Sequence, residues 1–381
     1  MAVLRAWLVL LILALSAGVA HAHKASDAYL TLERDGTHLT GRWDIALRDL
    51  DAALGLDLDG NGEITWGELR TKSPDIATYA LQHLVLRSGG EACPVTVRDH
   101  LVDQHTDGAY TVLLLDAACP LAGPTVNVRY TLFFDVDPQH RGLMQMIENG
   151  TSRSVIFAAD HPQEVVGGEA GGALSQFIAY VREGVWHIWT GFDHVLFLLS
   201  LLLPAVLVRR DAAWQPTATF RPAVLEVAKV VTAFTVAHSI TLTIAALGIV
   251  ALPSRWVESA IALSVVLAAL NNIRPVIAEA RWIAAFLFGL VHGFGFAGAL
   301  QDLGLPSGSL ALSLAGFNIG VELGQLVIVA VFLPLAYLVR STVLYRRVAL
   351  GGGSAVIAAV AAVWLAERAL DMPLFSMLAA S

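Results

Sequence analysis

Several side chains that hydrocarbon penalises stand inside the apolar second half of this chain. His187, Asp193 and His194 fall in "HIWTGFDH", His238 in "FTVAHSITL", Glu258 in "WVESA" and His292 in "GLVHGFGFAG". Asn318, Glu322 and Gln325 fall in "GFNIGVELGQL". An ionisable group at mid-bilayer costs at least ~2.5 kcal/mol on insertion scales, so a set of them needs a functional reason. Imidazoles grouped with carboxylates and amides suit a borderline divalent metal such as Ni, Co, Zn or Fe better than Ca or Mg.

Spacing adds geometry to this chemistry. On a continuous helix His187 and His194 share one face, offset by about 20°, with Gly191 between them. Asp193 points about 100° away from His194, placed to orient an imidazole or to meet a neighbouring helix. Asn318, Glu322 and Gln325 follow helical spacing and form a polar stripe, while Gly316, Gly320 and Gly324 form a second stripe suited to close helix packing. Gly289, Gly293 and Ala297 flank His292 in the same way. Blander readings exist for two of these residues. His238 sits beside Ser239 and fits a simple hydroxyl-bonded histidine, and His187 between Trp186 and Trp189 fits an interfacial aromatic belt.

A different metal chemistry stands earlier, in "DLDGNGEITWGE". Asp57, Asp59, Asn61, the Glu63 carbonyl, Thr65 and Glu68 occupy the ligand positions of an EF-hand loop, with Gly62 at the sharp turn and Ile64 at the apolar position. All are oxygen donors, which suits Ca2+. No second loop follows, so the expected role is a structural brace. The preceding "LRDLDAALG" reads as an entering helix, whereas the exiting helix reads as short, with a separate helix at "PDIATYALQHLVL".

The elements that must hold these groups are of two kinds. With 56% hydrophobic and only 15% charged residues, and mean hydropathy +0.64, the chain has membrane composition, and a net charge of −8 argues against a nucleic-acid partner. Residues 1–22 have the arginine, apolar run and Ala20-His21-Ala22 of a signal peptide, which places residues 23–166 outside the membrane as an exported, mainly-β, sandwich-like domain. Its alternating runs pair around Asp-Gly turns, and the EF-hand-like loop 57–68 is inserted between strands. Cys93 and Cys119 both lie in this part and are expected to form a disulfide. Residues 167–183 read as a hinge and amphipathic segment. Residues 184–369 read as an all-α bundle of six membrane spans: Gly184–Val208, Val227–Ala251, Trp256–Pro275, Trp282–Gln301, Ser309–Val339 and Val348–Ala369. Residues 370–381 form a short outer tail. Arg209, Arg210, Arg221, Arg274, Arg281, Arg340, Arg346 and Arg347 then fall on the inner side of a bacterial inner membrane, with Arg255 outside.

The ordered set "HIWTGFDHVLF", "FTVAHSITL", "HGFGFA" and "FNIGVELGQ" resembles the HupE/UreJ family of bacterial membrane proteins. That resemblance implies uptake of nickel or cobalt for hydrogenase and urease. It gives His187, Asp193 and His194 the roles of the first-helix metal motif, His292 that of the His-Gly motif, and Glu258 and Glu322 those of membrane carboxylates. Ile188 stands where the family often has proline, and the exported domain is similar to that of the family's long branch. The expectation is a divalent-metal permease, with lipid and the metal ion as partners. Having no P-loop, it would be driven by a gradient, by proton antiport or by a separate energising partner, and it can act as a membrane oligomer. Two alternatives share the residues: an intramembrane zinc hydrolase, and an exported metal sensor or chaperone ligating through His23.

Overall fold

The computed structural model describes residues 26–105, 107–120, 123–149, 151–167, 173–210, 213–277, 280–295 and 307–370. The expected signal segment 1–22, nearly all of the expected outer tail, and the last part of the expected fourth span lie outside them.

Alternation of apolar and polar residues builds the first half. β1 (Asp27–Asp35) and β2 (His38–Ala46) form a hairpin, with Gly36 at φ 61° in the turn. After α1 (Leu47–Leu54) and α2 (Trp66–Gln82) come β3 (Leu84–Ser88), β4 (Glu91–Cys93), β5 (Val95–His105), β6 (Gly108–Ala118), β7 (Val126–Tyr130), β8 (Arg141–Glu148), β9 (Thr151–Phe157) and β10 (Gln163–Val166). They make two sheets, ordered β5-β6-β2-β1-β8-β9 and β10-β7-β3-β4. Among the described residues of these two sheets, only β1 and β8 run parallel. Leu30, Trp43, Leu113 and Met144 of the first sheet share one buried core with Leu86, Val128 and Tyr130 of the second. This is the mainly-β, sandwich-like region expected from the alternation. The disulfide Cys93–Cys119 joins β4 of the smaller sheet to the chain leaving β6 of the larger one.

The helix after the EF-hand-like loop is longer than its sequence suggests. α2 runs from Trp66 through Pro74 to Gln82 as one helix. A mid-helix proline loses one backbone hydrogen bond. Here Leu69, Ile76 and Ala80 are buried on the face that packs into the sandwich core, and that tertiary burial overrides the break.

The second half is helical: α3 (Ala173–Thr190), α4 (Phe192–Leu202), a small hairpin β11 (Leu207–Arg210) and β12 (Ala213–Pro216), α5 (Phe220–Ala246), α6 (Ser254–Ile273), α7 (Arg281–His292), α8 (Ser307–Val339), a π-helical segment Tyr345–Gly352, and α9 (Gly353–Leu370). Four stretches, 220–246, 254–273, 310–339 and 345–370, are long and apolar enough to cross a bilayer. Taken together, α3 and α4 make a fifth, bent by 72°. α7 is apolar but short, and the segment that follows its end lies outside the described residues from 296. The chain is a multi-pass membrane protein.

The first span therefore differs from the straight helix expected over Gly184–Val208. It begins at Ala173, inside the stretch read as hinge and amphipathic segment, breaks at Gly191, and ends at Leu202, short of Pro204 and the β11 hairpin. Gly191 adopts φ −73°, ψ 94°, and Asp193 in the first turn of α4 places negative charge at a helix N-terminus.

Glycines set how closely these helices meet. A Cβ on Gly184 would collide with the Phe317 carbonyl, one on Gly320 with the Val181 carbonyl, and one on Gly316 would lie 2.7 Å from the Phe177 carbonyl. Thus α3 and α8 touch backbone to backbone, as the glycine stripe on α8 implies. On the other pair, a Cβ on Gly289 of α7 would lie 2.5 Å from the Phe234 carbonyl of α5, and one on Gly293 would strike the His238 carbonyl. The sandwich rests on α3 through Arg141–Glu183 at 3.4 Å, Arg182–Asp160 at 2.6 Å and Gln176 donating to Ser154 at 3.3 Å.

The substitution Gly320→Leu forces two backbones apart. It is expected to lower stability by about 1–3 kcal/mol or more, as overpacking does. Thermal unfolding of the purified full chain in detergent checks this, with Gly351→Ala, whose Cβ would meet nothing within 4 Å, as the unaffected control.

Candidate metal centres

In the helical half the bend at Gly191 creates the site. The His187 and His194 rings lie 4.6 Å apart, centroid to centroid, although they now sit on two helices, α3 and α4. The shared-face argument for a continuous helix is corrected: proximity comes from the break. A Cβ on Gly191 would lie 2.7 Å from His194 Nδ1 and 2.8 Å from the His187 carbonyl, so only glycine fits between them.

His292, in the last turn of α7, brings its ring to 5.3 Å from that of His194. Phe197 and Phe234 pack against His292 at 4.9 and 5.3 Å, and Phe234 also lies 5.9 Å from His238 on α5. Four imidazoles from α3, α4, α5 and α7 are thus linked through rings in contact. Asp193 Oδ1 is 3.0 Å from His194 Nδ1. A narrow cavity beside His194 is lined by Phe197, Leu198, Leu201, Val230, Val231, Phe234 and Gln325, with room for about one water.

Hydrogen bonding separates these histidines from ordinary buried ones. Among the described residues, both ring nitrogens of His238, Nε2 of His194 and Nδ1 of His292 are buried without a hydrogen-bond partner, while His194 Nδ1 has the Asp193 carboxylate 3.0 Å away. His292 Nε2 meets Ser264 Oγ at 2.9 Å. The hydroxyl-bonded reading of His238 fails locally, because Ser239 donates to the Thr235 carbonyl and Thr241 to the Ala237 carbonyl. The Asn318 side chain of α8 lies against His238, and its Oδ1 is likewise buried and unpartnered. Buried polar atoms without partners cost about 1–3 kcal/mol each, and in native proteins they mark a redox or catalytic role or an unseen water or ion.

The remaining expected residues are placed less directly. Gln325 lines the His194 cavity, and Thr235 donates to its Oε1 at 3.3 Å. Glu322 is half-buried on α8 and makes no ion pair among the described residues. Glu258, on α6, pairs with Arg368 of α9 at 3.9 Å, and Arg368 also approaches Asp193 at 3.6 Å. Among the described residues of the helical half, no three carboxylate or imidazole donor atoms lie within 4.8 Å of one another. Closing a chelate here takes rotation of the rings about their side-chain bonds.

Sequence reasoning missed Arg368 and Ser264. The first was legible as a lone guanidinium at the end of an apolar span, in "WLAERAL"; the second gave no signal beyond helical spacing.

In the mainly-β half, carboxylate oxygens of Asp57, Asp59 and Glu68 lie within 4.8 Å of one another. Gly60 and Gly62, at φ 72° and 84°, turn the loop so that Asp57 accepts from the Gly60, Asn61 and Gly62 amides at 2.8, 3.2 and 2.7 Å. Asn61 Oδ1 accepts from the Glu63 amide at 2.7 Å. Glu68 accepts from the Leu58 and Thr65 amides and from the Thr65 hydroxyl, and Thr65 caps α2. Hydrogen bonds hold both carboxyls below the usual carboxylate range, from the Gly62 amide above all for Asp57 and from the Thr65 amide for Glu68. Both stay anionic and ready for a hard cation. With α1 before and the full-length α2 after, the loop is flanked by helices on both sides.

No curated protein matches the chain. A family model described as HupE / UreJ protein matches residues 164–368, just over half of the chain and the whole described helical half from α3 to the end of α9 save the last residues. Both the motif set and this match put the metal-type histidines inside the matched region, and the chain belongs to the HupE / UreJ protein family.

Proposed function

We propose that the protein is a permease for a divalent transition metal, nickel or cobalt by its family, crossing at a site built from His187, Asp193, His194, His238 and His292, with Asn318, Glu322 and Gln325 on the facing helix α8. The observation that carries this reading is the set of buried imidazole nitrogens without hydrogen-bond partners at His194, His238 and His292. Imidazole nitrogen suits Ni2+ and Co2+. His187, on α3 next to the sandwich contacts at Glu183 and Arg182, receives the ion first. Asp193 orients His194 and adds the negative charge that a divalent ion requires. Ligation needs unprotonated imidazoles, so transfer couples to proton movement.

The same reading counts six spans and puts residues 23–166 outside the membrane, consistent with the arginines on the opposite side. In that outer domain Asp57, Asp59, Asn61, the Glu63 carbonyl, Thr65 and Glu68 hold Ca2+ as a brace. The hydrolase alternative has less support, because the cavity beside His194 is walled mostly by Phe, Leu and Val and has little room for an organic substrate.

Uptake of labelled nickel or cobalt by cells producing the protein is expected to exceed that of cells without it. His194→Ala should abolish the difference and Glu322→Gln should lower it severalfold; wild-type uptake in His194→Ala contradicts the site. For the outer domain, Ca2+ in the range of about 10⁻⁴–10⁻³ M is expected to raise the melting temperature of the full chain, and Glu68→Gln should remove the shift.

A further inference from the structure

We propose that Arg368 is a tethered counter-cation that competes with the transported metal for Asp193 and drives the ion off again, a role that rests on the permease reading above. The Asp193 carboxylate is divided between two partners. Its Oδ1 lies 3.0 Å from His194 Nδ1, and its Oδ2 lies 3.6 Å from Arg368 Nη2. On the other side of the guanidinium, Glu258 Oε2 lies 3.9 Å from Arg368 Nε, and the Glu258 carbonyl accepts from Nη1 at 3.2 Å. Charge-assisted hydrogen bonds of full strength measure about 2.7–2.9 Å, so neither carboxylate has captured the guanidinium. Arg368 Nε is buried and without a hydrogen-bond partner among the described residues, and the Trp364 ring lies 6.0 Å away. Arg368 is therefore held between two acceptors, one of which belongs to the metal site.

Charge bookkeeping gives this placement a consequence. Two carboxylates and one guanidinium carry a net single negative charge, so a divalent ion at Asp193 and His194 leaves the cluster positive. The guanidinium then turns to Glu258, and Coulomb repulsion at a few ångströms limits how tightly the metal is held. When Arg368 returns to Asp193, it replaces the ion one cation for another. Arg368 thus sets affinity low enough for release, as a positioning and competing charge with no role as a ligand. The network ties α4, α6 and α9 together, so the exchange also alters contacts between three helices.

The test is Ni2+ and Co2+ binding to the purified full chain in detergent by equilibrium dialysis, alongside uptake into proteoliposomes. Arg368→Gln is expected to bind metal about tenfold more tightly or better, with slower uptake. Arg368→Lys, which keeps the charge, should stay near the wild-type affinity, and the Gln effect should vanish in an Asp193→Asn background. Glu258→Gln, which removes the competing carboxylate and leaves Arg368 the Asp193 carboxylate and the backbone carbonyl of residue 258, should weaken metal binding severalfold. A monodisperse Arg368→Gln protein with unchanged or weaker affinity overturns the proposal, as does unchanged or tighter binding in Glu258→Gln should the first variant fail to fold. Absence of metal binding by the wild-type chain would instead remove the permease reading itself, and this inference with it.

Discussion

An imidazole enclosed by phenylalanine, leucine and valine keeps the polarity of its nitrogens but loses the water that would satisfy them. His238 is in that position at both nitrogens, and His194 and His292 at one each. The helical half is arranged around this constraint. Aromatic rings of Phe197 and Phe234 pack between the histidines without offering a hydrogen bond. In the proposed permease a divalent metal would supply what the rings lack, and Asp193 would offset its charge. The same low dielectric makes the carboxylate costly alone, which is why Arg368 sits within reach of it.

Glycine is what makes the arrangement geometrically accessible. Gly191 breaks the first span and leaves room for two imidazoles to approach each other across the bend. Gly184 and Gly320 let α3 and α8 meet backbone to backbone, bringing the amides of α8 close to the histidines. Gly289 and Gly293 do the same for α7 and α5, and thereby fix His292 against the helix that carries His238. The sandwich-like region meets the helical half through α3, where Arg141 and Asp160 hold Glu183 and Arg182 one turn before His187. Calcium bracing of the outer domain would stiffen the body that docks there.

Local pattern and chemistry made much of this readable in advance. Strand alternation and Asp-Gly turns gave the mainly-β half, hydropathy gave the membrane helices, and the single pair of cysteines, both in the mainly-β half, gave the disulfide. Histidine positions in apolar runs pointed to the site because hydrocarbon has so few reasons to contain them. What was not readable depended on tertiary contacts. The bend at Gly191 has no proline to announce it, and α2 continues through Pro74 because Ile76 and Ala80 are buried beyond it. The partners of Arg368 were unreadable for the same reason: as a lone guanidinium at the end of its span it resembles a snorkelling anchor, and only the packing of α9 against α4 and α6 shows which carboxylates it faces.

The measurement closest to the central claim is X-ray absorption spectroscopy of the purified full chain loaded with nickel or cobalt. The account predicts a first shell that contains imidazole nitrogens, with their multiple-scattering signature, and a lower imidazole count in His194→Ala. A metal surrounded only by oxygen, with a spectrum unmoved by that substitution, would contradict it.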